Sequence, residues 1–415
     1  MGEAGGSSPD DGSSEEATDD STRTQNLLLL SGEERFDIWQ VKQEERPHWM
    51  DIETNVSERS DSENSVSDQE LPLPLIDGCD IPGWRGRGLV SVSDYHQSIL
   101  NVGTGCSLLR RESQLPILSS RSTENWRRLR DKLLKPPSRS IHRLSPNETN
   151  ALGPYPWFER DNIPVLLEGC TDSWKAMETC TWKALVETYG DYDWRFSDTH
   201  GSTMTLSTYD KYCRSLEGQT DDAPLAVYDS QLVHDERSHI MMDDYQVPNC
   251  FDAPDLFESM GEDRRPPYRW ILMGPERSGT GLHIDPMGTH AWVTIVEGIK
   301  RWVLFPYGTD QASIGMQDPQ IPSALWFQNY YDHVLAKYPE AIEVLQYPGE
   351  TVYVPAGWPH LVLNLDRTVA ITQNYATEYP SMDRMARHVV RDEGSEFFDD
   401  WMACLKETRP DLVHM

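Results

Sequence analysis

The sequence predicts a mainly β protein, a sandwich or barrel with flanking helices, and three observations carry that expectation. From about residue 150 onward, short runs rich in β-branched and aromatic residues recur: "PLAVYDS", "YRWILMG", "HAWVTIVEG", "KRWVLFPYG", "ETVYVPAG", "HLVLNLD" and "VAITQNYA". Gly, Pro, Asp and Asn separate them, as turns between strands require. The final stretch, "SMDRMARHVVRDEGSEFFDDWMACLKETRPDL", instead spaces its apolar residues helically and predicts a C-terminal helical cap over 381–415.

Before the β-rich part, the texture is different. Residues 1–80 hold 21 Asp and Glu against 5 Lys and Arg, about half of the net charge of −31 in a fifth of the chain. So charged a segment, poor in periodic apolar residues, is expected to be a largely disordered acidic tail. Within it, "NLLLLSGEERFDIWQ" (26–40) has the pattern of a short amphipathic helix, or of an isolated apolar patch. Residues 81–150 read as a linker containing a basic helix, "ENWRRLRDKLLKPP" (124–137), stopped by Pro136 and Pro137. That helix is either a contact or nuclear-import element or a solvated basic face. The main domain is expected over 151–380, opening with the strand-length run "IPVLLEGC" (163–170), a helical stretch from "DSWKAM" and renewed strand character at "WRFSD".

Composition narrows the function classes. A chain this acidic suits basic protein partners and disfavours bare nucleic acid or an anionic membrane, so no sequence-specific nucleic-acid binding is expected. The seven cysteines are scattered, with no CxxC pair, which argues against a disulfide framework or a zinc module and for a reducing compartment, nucleus or cytoplasm. The N-terminus "MGEAGGSSPDD" has neither a basic nor an apolar leader region, and "NLLLL" is far too short to span a bilayer.

The chemistry centres on "TGLHIDPMGTHAW" (280–292). Residues two apart on a strand share a face, so His283 and Asp285 project together and Ile284 projects away. An HxD pair alone is weak evidence, and a lone strand histidine is usually a satisfied core residue. A third ligand is offered by "PGETVYVPAGWPHLVLN" (348–364), where Gly349, Pro355, Gly357, His360 and Asn364 fit the second motif of the double-stranded β-helix, or cupin, fold. Two imidazoles and one carboxylate make the facial triad of non-haem Fe(II) oxygenases, with open positions for a cosubstrate and O2. The cosubstrate of such sites is usually 2-oxoglutarate, whose far carboxylate needs a cation inside the barrel. Lys300, in "EGIKRWVLFP", has the position for that task, whereas Arg301 points the other way and is expected at the surface. Thr372 follows on a later strand, and strand parity puts Asn374 on its face.

These two segments resemble the Jumonji-C (JmjC) domain, and within it the subgroup of the bifunctional arginine demethylase and lysyl-hydroxylase. The similarity runs from about Pro154 to Thr377 and is dense from Arg264 to Asn374. The resemblance implies a double-stranded β-helix holding iron at His283, Asp285 and His360, and 2-oxoglutarate at Lys300, Thr280 and Thr372. Two positions depart from the subgroup's pattern: Ala226 stands where it has a Tyr, and Val293 where it has an Asn, both beside the cosubstrate. The expected activity is hydroxylation of a protein side chain, foremost lysine, with N-methyl demethylation as the alternative. A non-catalytic cupin-like interaction protein and a cupin acting on small metabolites are the competing classes. The complete triad with Lys300 argues against the first, and the long acidic tail against the second.

Overall fold

The computed structural model describes residues 123–196, 203–214, 219, 224–230, 239–316, 321–379 and 382–413. Among the described residues thirteen strands form in chain order: β1 (His142–Leu144), β2 (Val165–Leu167), β3 (Asp193–Arg195), β4 (Thr203–Thr205), β5 (Val227–Asp229), β6 (Arg269–Gly274), β7 (Gly279–His283), β8 (His290–Glu297), β9 (Lys300–Leu304), β10 (Ile342–Gln346), β11 (Thr351–Val354), β12 (His360–Asn364) and β13 (Thr368–Tyr375). Seven make one sheet in the order β1-β2-β11-β8-β13-β6-β5, and four make a second in the order β10-β9-β12-β7. From β6 to β9 and from β10 to β13 the chain alternates between the two sheets, which is the winding of the double-stranded β-helix. β10 and the helices between β9 and β10, Ser323–Asn329 and Tyr331–Lys337, were not anticipated from the sequence.

Strand alternation sorts the core into two layers. On β8, Ala291 and Val293 point into the barrel with Val352, Val354, Trp302 and Val362. Trp292 and Val296 point outward, and there they join Tyr353, Val369 and Ile371 under a thick aromatic layer containing Trp174, Trp182, Trp194 and Phe251. The central strands of the larger sheet, β8, β11 and β13, are thus buried on both faces.

The sheet takes its first strand from His142–Leu144, paired in parallel with β2, so the barrel includes residues upstream of the texture change near residue 150. The basic helix, α1 (Thr123–Leu133), combines the two readings: Trp126 and Leu133 are buried and Arg130 Nε donates to the Leu365 carbonyl at 2.6 Å, while Arg127, Arg128 and Lys132 lie on a solvated basic face. The segment 26–40 and the rest of the acidic tail lie outside the described residues. Among the described residues no helix is long and apolar enough to cross a membrane.

The C-terminal cap is present as α2 (Met382–Glu393), α3 (Ser395–Thr408) and the short α4 (Pro410–Val413). Met385, Val389, Trp401 and Leu405 bury its apolar side against Leu256, Phe257, Met260 and Met287. Met287 lies in the turn after Asp285, so the cap packs directly on the site.

Candidate metal and cosubstrate site

The sequence motifs converge. His283 ends β7, and His360 begins β12 as its register partner, so the two imidazoles meet across one antiparallel pair with ring centroids 4.2 Å apart. Asp285 lies just past the end of β7, but its backbone stays extended (φ −53°, ψ 150°), and the strand's parity carries on to it. Its Oδ1 is 3.5 Å from His283 Nε2 and 3.8 Å from His360 Nε2. One ligand atom from each of the three residues fits within 4.8 Å of the others.

Each imidazole is oriented by backbone. His283 Nδ1 lies 2.7 Å from the Gly281 carbonyl and His360 Nδ1 2.9 Å from that of Trp358. A carbonyl only accepts, so Nδ1 carries the proton on both rings and Nε2 presents its lone pair to the centre. Burial pushes the His360 imidazole down to about 4, which keeps it neutral. Burial pushes the Asp285 carboxyl up, and it is held below its ordinary value only while positive charge sits on the facing His360 and His283 rings, the place a bound cation would take, with help from the nearby Asn374 amide. Among the described residues, its buried Oδ2 makes no hydrogen bond of good geometry. A desolvated carboxylate oxygen beside two imidazole lone pairs is costly without a cation. The donor set suits a divalent transition metal and leaves coordination positions open.

These ligands sit at one end of a cavity of about 210 Å³ between the two sheets, walled by Tyr228, Trp270, Leu272, Ala291, Val293, Trp302, Val354 and Val362. Thr280, Lys300, Thr372 and Asn374 also line it, so every site residue expected from the sequence reaches one space. Lys300 is 4% exposed, and its Nζ donates to Asn364 Oδ1 at 2.7 Å and to Thr368 Oγ1 at 3.4 Å. Among the described residues it pairs with no carboxylate, and burial pushes its ammonium down to about 7. Asn364 is fixed in turn, its Nδ2 donating to Ser278 Oγ at 2.8 Å. Thr372 donates its hydroxyl proton to the Trp292 carbonyl at 2.8 Å, leaving its oxygen as an acceptor on the cavity side. Asn374 Nδ2 donates to Thr289 Oγ1 at 3.1 Å, and Thr289 Oγ1 donates to the Pro286 carbonyl at 2.9 Å. Asn374 therefore braces the turn that carries Asp285, besides lining the cavity.

Two readings of the sequence change here. Arg301 does point away from the cavity, but it is not at the surface. It is 2% exposed and forms a buried ion pair with Glu343, in contact with the Tyr331 hydroxyl. The covering helix Tyr331–Lys337 lies too far along the chain for local pattern to reveal it. The tyrosine missing at Ala226 is supplied two residues on. Tyr228, paired with Leu272 on β6, shares the inward face, and its hydroxyl contacts that of Thr280. Alternation along "PLAVYDS" was the available signal. Val293 lies in the cavity wall as an apolar residue.

The fold and this convergence define a class, the cupin-like barrels with a two-histidine, one-carboxylate centre. Residues 270–375 match the JmjC domain, described as a hydroxylase. A bifunctional arginine demethylase and lysyl-hydroxylase, psr-1 of Caenorhabditis briggsae, is 36% identical over 268 residues, 62% of this chain and 66% of that protein. Arginine-specific demethylase JMJ22 of Arabidopsis thaliana is 38% identical over 226 residues, 53% of this chain and 43% of that protein. The 2-oxoglutarate and iron-dependent oxygenase JMJD4 of Mus musculus is 26% identical over 219 residues, 51% of this chain and 50% of that protein. The chain thus spans just under two thirds of the nematode relative and about half or less of the other two.

Proposed function

We propose that this protein is an Fe(II)- and 2-oxoglutarate-dependent dioxygenase that hydroxylates a side chain of a protein substrate, foremost lysine. In this reading His283, Asp285 and His360 hold the iron, while Lys300, Thr280 and Thr372 receive 2-oxoglutarate, with Tyr228 and Asn374 beside them. Bound iron, with 2-oxoglutarate and O2, supplies the oxidant that turns a substrate C–H into C–OH as 2-oxoglutarate leaves as succinate and CO2.

The carrying observation is Lys300. A buried ammonium that pairs with no carboxylate among the described residues, in the cavity that also holds the three ligands, asks for an anion. A dicarboxylate short enough to reach from cation to metal meets that demand. Lys300 would supply a charge-assisted hydrogen bond and Thr280 a neutral one, while Thr372 would have to turn its hydroxyl proton from the Trp292 carbonyl to the carboxylate. The apolar walls exclude water from the reacting end. The relatives' printed names, a lysyl-hydroxylase and an iron-dependent oxygenase, support the same reading.

N-methyl demethylation is the second reading, supported by the demethylase names of the nematode and plant relatives. It needs the same chemistry, since a hydroxylated N-methyl carbon leaves as formaldehyde. The net charge of −31 fits a basic protein segment as substrate, and the free thiols Cys170, Cys180, Cys213, Cys250 and Cys404 fit a reducing compartment, nucleus or cytoplasm. The test is to incubate the protein with Fe(II), 2-oxoglutarate and co-purifying partners, then follow succinate, formaldehyde and peptide mass. A lysine peptide gaining one oxygen atom supports hydroxylation, and formaldehyde release supports demethylation. Substrate-dependent succinate that never forms would remove both.

A further inference from the structure

We infer that Asp392, on the C-terminal helix α2, is a positioning residue for the metal centre: it holds the turn that presents Asp285, so that docking of α2 and metal binding reinforce one another. This rests on the metal reading of the triad given above.

The turn Pro286–Gly288 follows Asp285 at once and contains an unfavourable residue. Met287 has φ 58° and ψ 14°, a left-handed conformation that a side chain of its size adopts only when its surroundings impose it. Two contacts from α2 do so. The Met287 amide donates to Asp392 Oδ2 at 2.7 Å, and the Met287 side chain is buried with Met385 and Val389 of the same helix. Nothing in the turn itself holds that amide in place, since the turn's own backbone hydrogen bonds run from the Gly288 amide to the Asp285 carbonyl and from the Thr289 amide to the Pro286 carbonyl.

One helical turn before Asp392, His388 reaches both loops that lead to ligands. Gly288 has φ 65°, and a Cβ there would come within 2.6 Å of the His388 ring. A Cβ on Gly357, in the turn before His360, would lie 3.9 Å from His388 Nε2 and 2.9 Å from the Tyr307 ring. Positions 388 and 392 stand four apart and so share one face of α2. That face packs tightly on the Asp285 turn, while at the His360 turn His388 lies at ordinary van der Waals reach and Tyr307 makes the tight contact. Asp392 fastens the Asp285 turn, and the His388 ring packs against the glycine that follows it.

Partners that orient metal ligands typically change metal affinity by about ten- to a hundredfold when removed. Asp392 acts at one remove, through the backbone of Met287, so its removal should fall near the lower bound. By linkage, the metal should also stabilise the docked helix in the wild type more than in the variant.

The test uses the full chain and Mn(II) as the probe, with free Mn(II) read by electron paramagnetic resonance, a measurement independent of turnover. Asp392→Ala is expected to raise the Mn(II) Kd about tenfold. Asp392→Asn, which keeps an oxygen able to accept from the Met287 amide, should recover most of that loss. Val334→Ala, in the helix Tyr331–Lys337, empties a buried site remote from both turns and serves as a control for general destabilisation. It should lower the melting temperature without moving the Mn(II) Kd. An Asp392→Ala protein that binds Mn(II) as wild type does, or loses no more than Val334→Ala, would overturn the positioning role alone. Wild-type protein that binds no Mn(II), or binds it equally well as His283→Ala, would overturn the metal reading of the triad and this inference with it.

Discussion

His283 and His360 are register partners across β7 and β12, their Nε2 atoms within 3.5 and 3.8 Å of the same oxygen of Asp285. Three donors meet with no counter-cation among them, and both rings are locked from behind by backbone carbonyls. Such an arrangement is preorganised for a metal, because no side chain has to turn to form it.

Replacing His283 or Asp285 with Ala should therefore abolish 2-oxoglutarate turnover and lower Fe(II) binding sharply. The barrel should not unfold, since neither residue anchors the cores on the two faces of the larger sheet. Anaerobic Fe(II) titration and thermal melting check both halves. Undiminished turnover in either variant would sink the assignment.

The burial of Lys300 sets up a pH effect with a definite sign. Burial pushes the Lys300 ammonium from its ordinary 10.5 down to about 7 in the folded protein. In the unfolded chain it stays charged up to about 10.5. Between those values the unfolded state binds the extra proton, so stability of the ligand-free protein rises with pH across roughly 7 to 10.5. A bound dicarboxylate restores the charged form. At pH 8 its binding should take up close to one proton, and affinity should weaken as pH rises further. Calorimetry of the Mn(II)-loaded protein in buffers of different ionisation enthalpy measures the uptake. No uptake in wild type, or the same uptake in Lys300→Met, would show that Lys300 is not the titrating group.

Tyr228 and Thr280 share a hydroxyl contact on the cavity wall. Tyr228→Phe removes one hydroxyl and leaves the ring in place, so stability should move by less than about 1 kcal/mol. Loss of a neutral hydrogen bond toward the cosubstrate is expected to raise the Kd of 2-oxoglutarate several-fold. A titration showing no change would place the Tyr228 hydroxyl outside the binding set.

What was legible in the sequence was what spacing dictates. The HxD pair and the shared face of Thr372 and Asn374 follow from alternation along single strands, and the G-P-G-H-N run from its spacing across one turn and the strands it joins. Contacts made over long sequence separations were not legible. Arg301 was assigned to the surface because its own strand says only that it faces away from Lys300. Glu343 lies 42 residues on, and the Lys135 carbonyl that its guanidinium also reaches at 3.2 Å lies 166 residues back. Tyr228 is not legible from the resemblance, because the subgroup's Tyr stands at position 226 and only strand alternation connects that position to 228. The hold of Asp392 on the Met287 amide spans 105 residues and leaves no trace in either local pattern.

Lys300 and Arg301 are neighbours on β9 that face opposite ways, and their substitutions should separate binding from stability. Lys300→Ala leaves the cosubstrate's far carboxylate in a dry pocket without its cation. That should cost about 3–5 kcal/mol of 2-oxoglutarate binding, a rise in Kd of about two to three orders of magnitude. Metal binding should persist, and the fold should not suffer, since a buried ammonium is removed along with its desolvation cost. Arg301→Ala does the reverse. It strips the partner from Glu343, which is itself 1% exposed, and among the described residues leaves its buried carboxylate to the hydroxyls of Tyr331 and Ser138. Breaking a buried pair in this way costs about 3–5 kcal/mol of stability. The cavity face of β9 is untouched, so affinity per folded molecule should change little. Removing both charges as Arg301→Met with Glu343→Leu should return much of the stability, because no charge is then left unpaired. Denaturant melts and 2-oxoglutarate titrations on the same preparations decide the matter. Equal affinities for Lys300→Ala and wild type would dismiss the anchor, and a melt for Arg301→Ala unchanged from wild type would dismiss the buried pair as a stabilising contact.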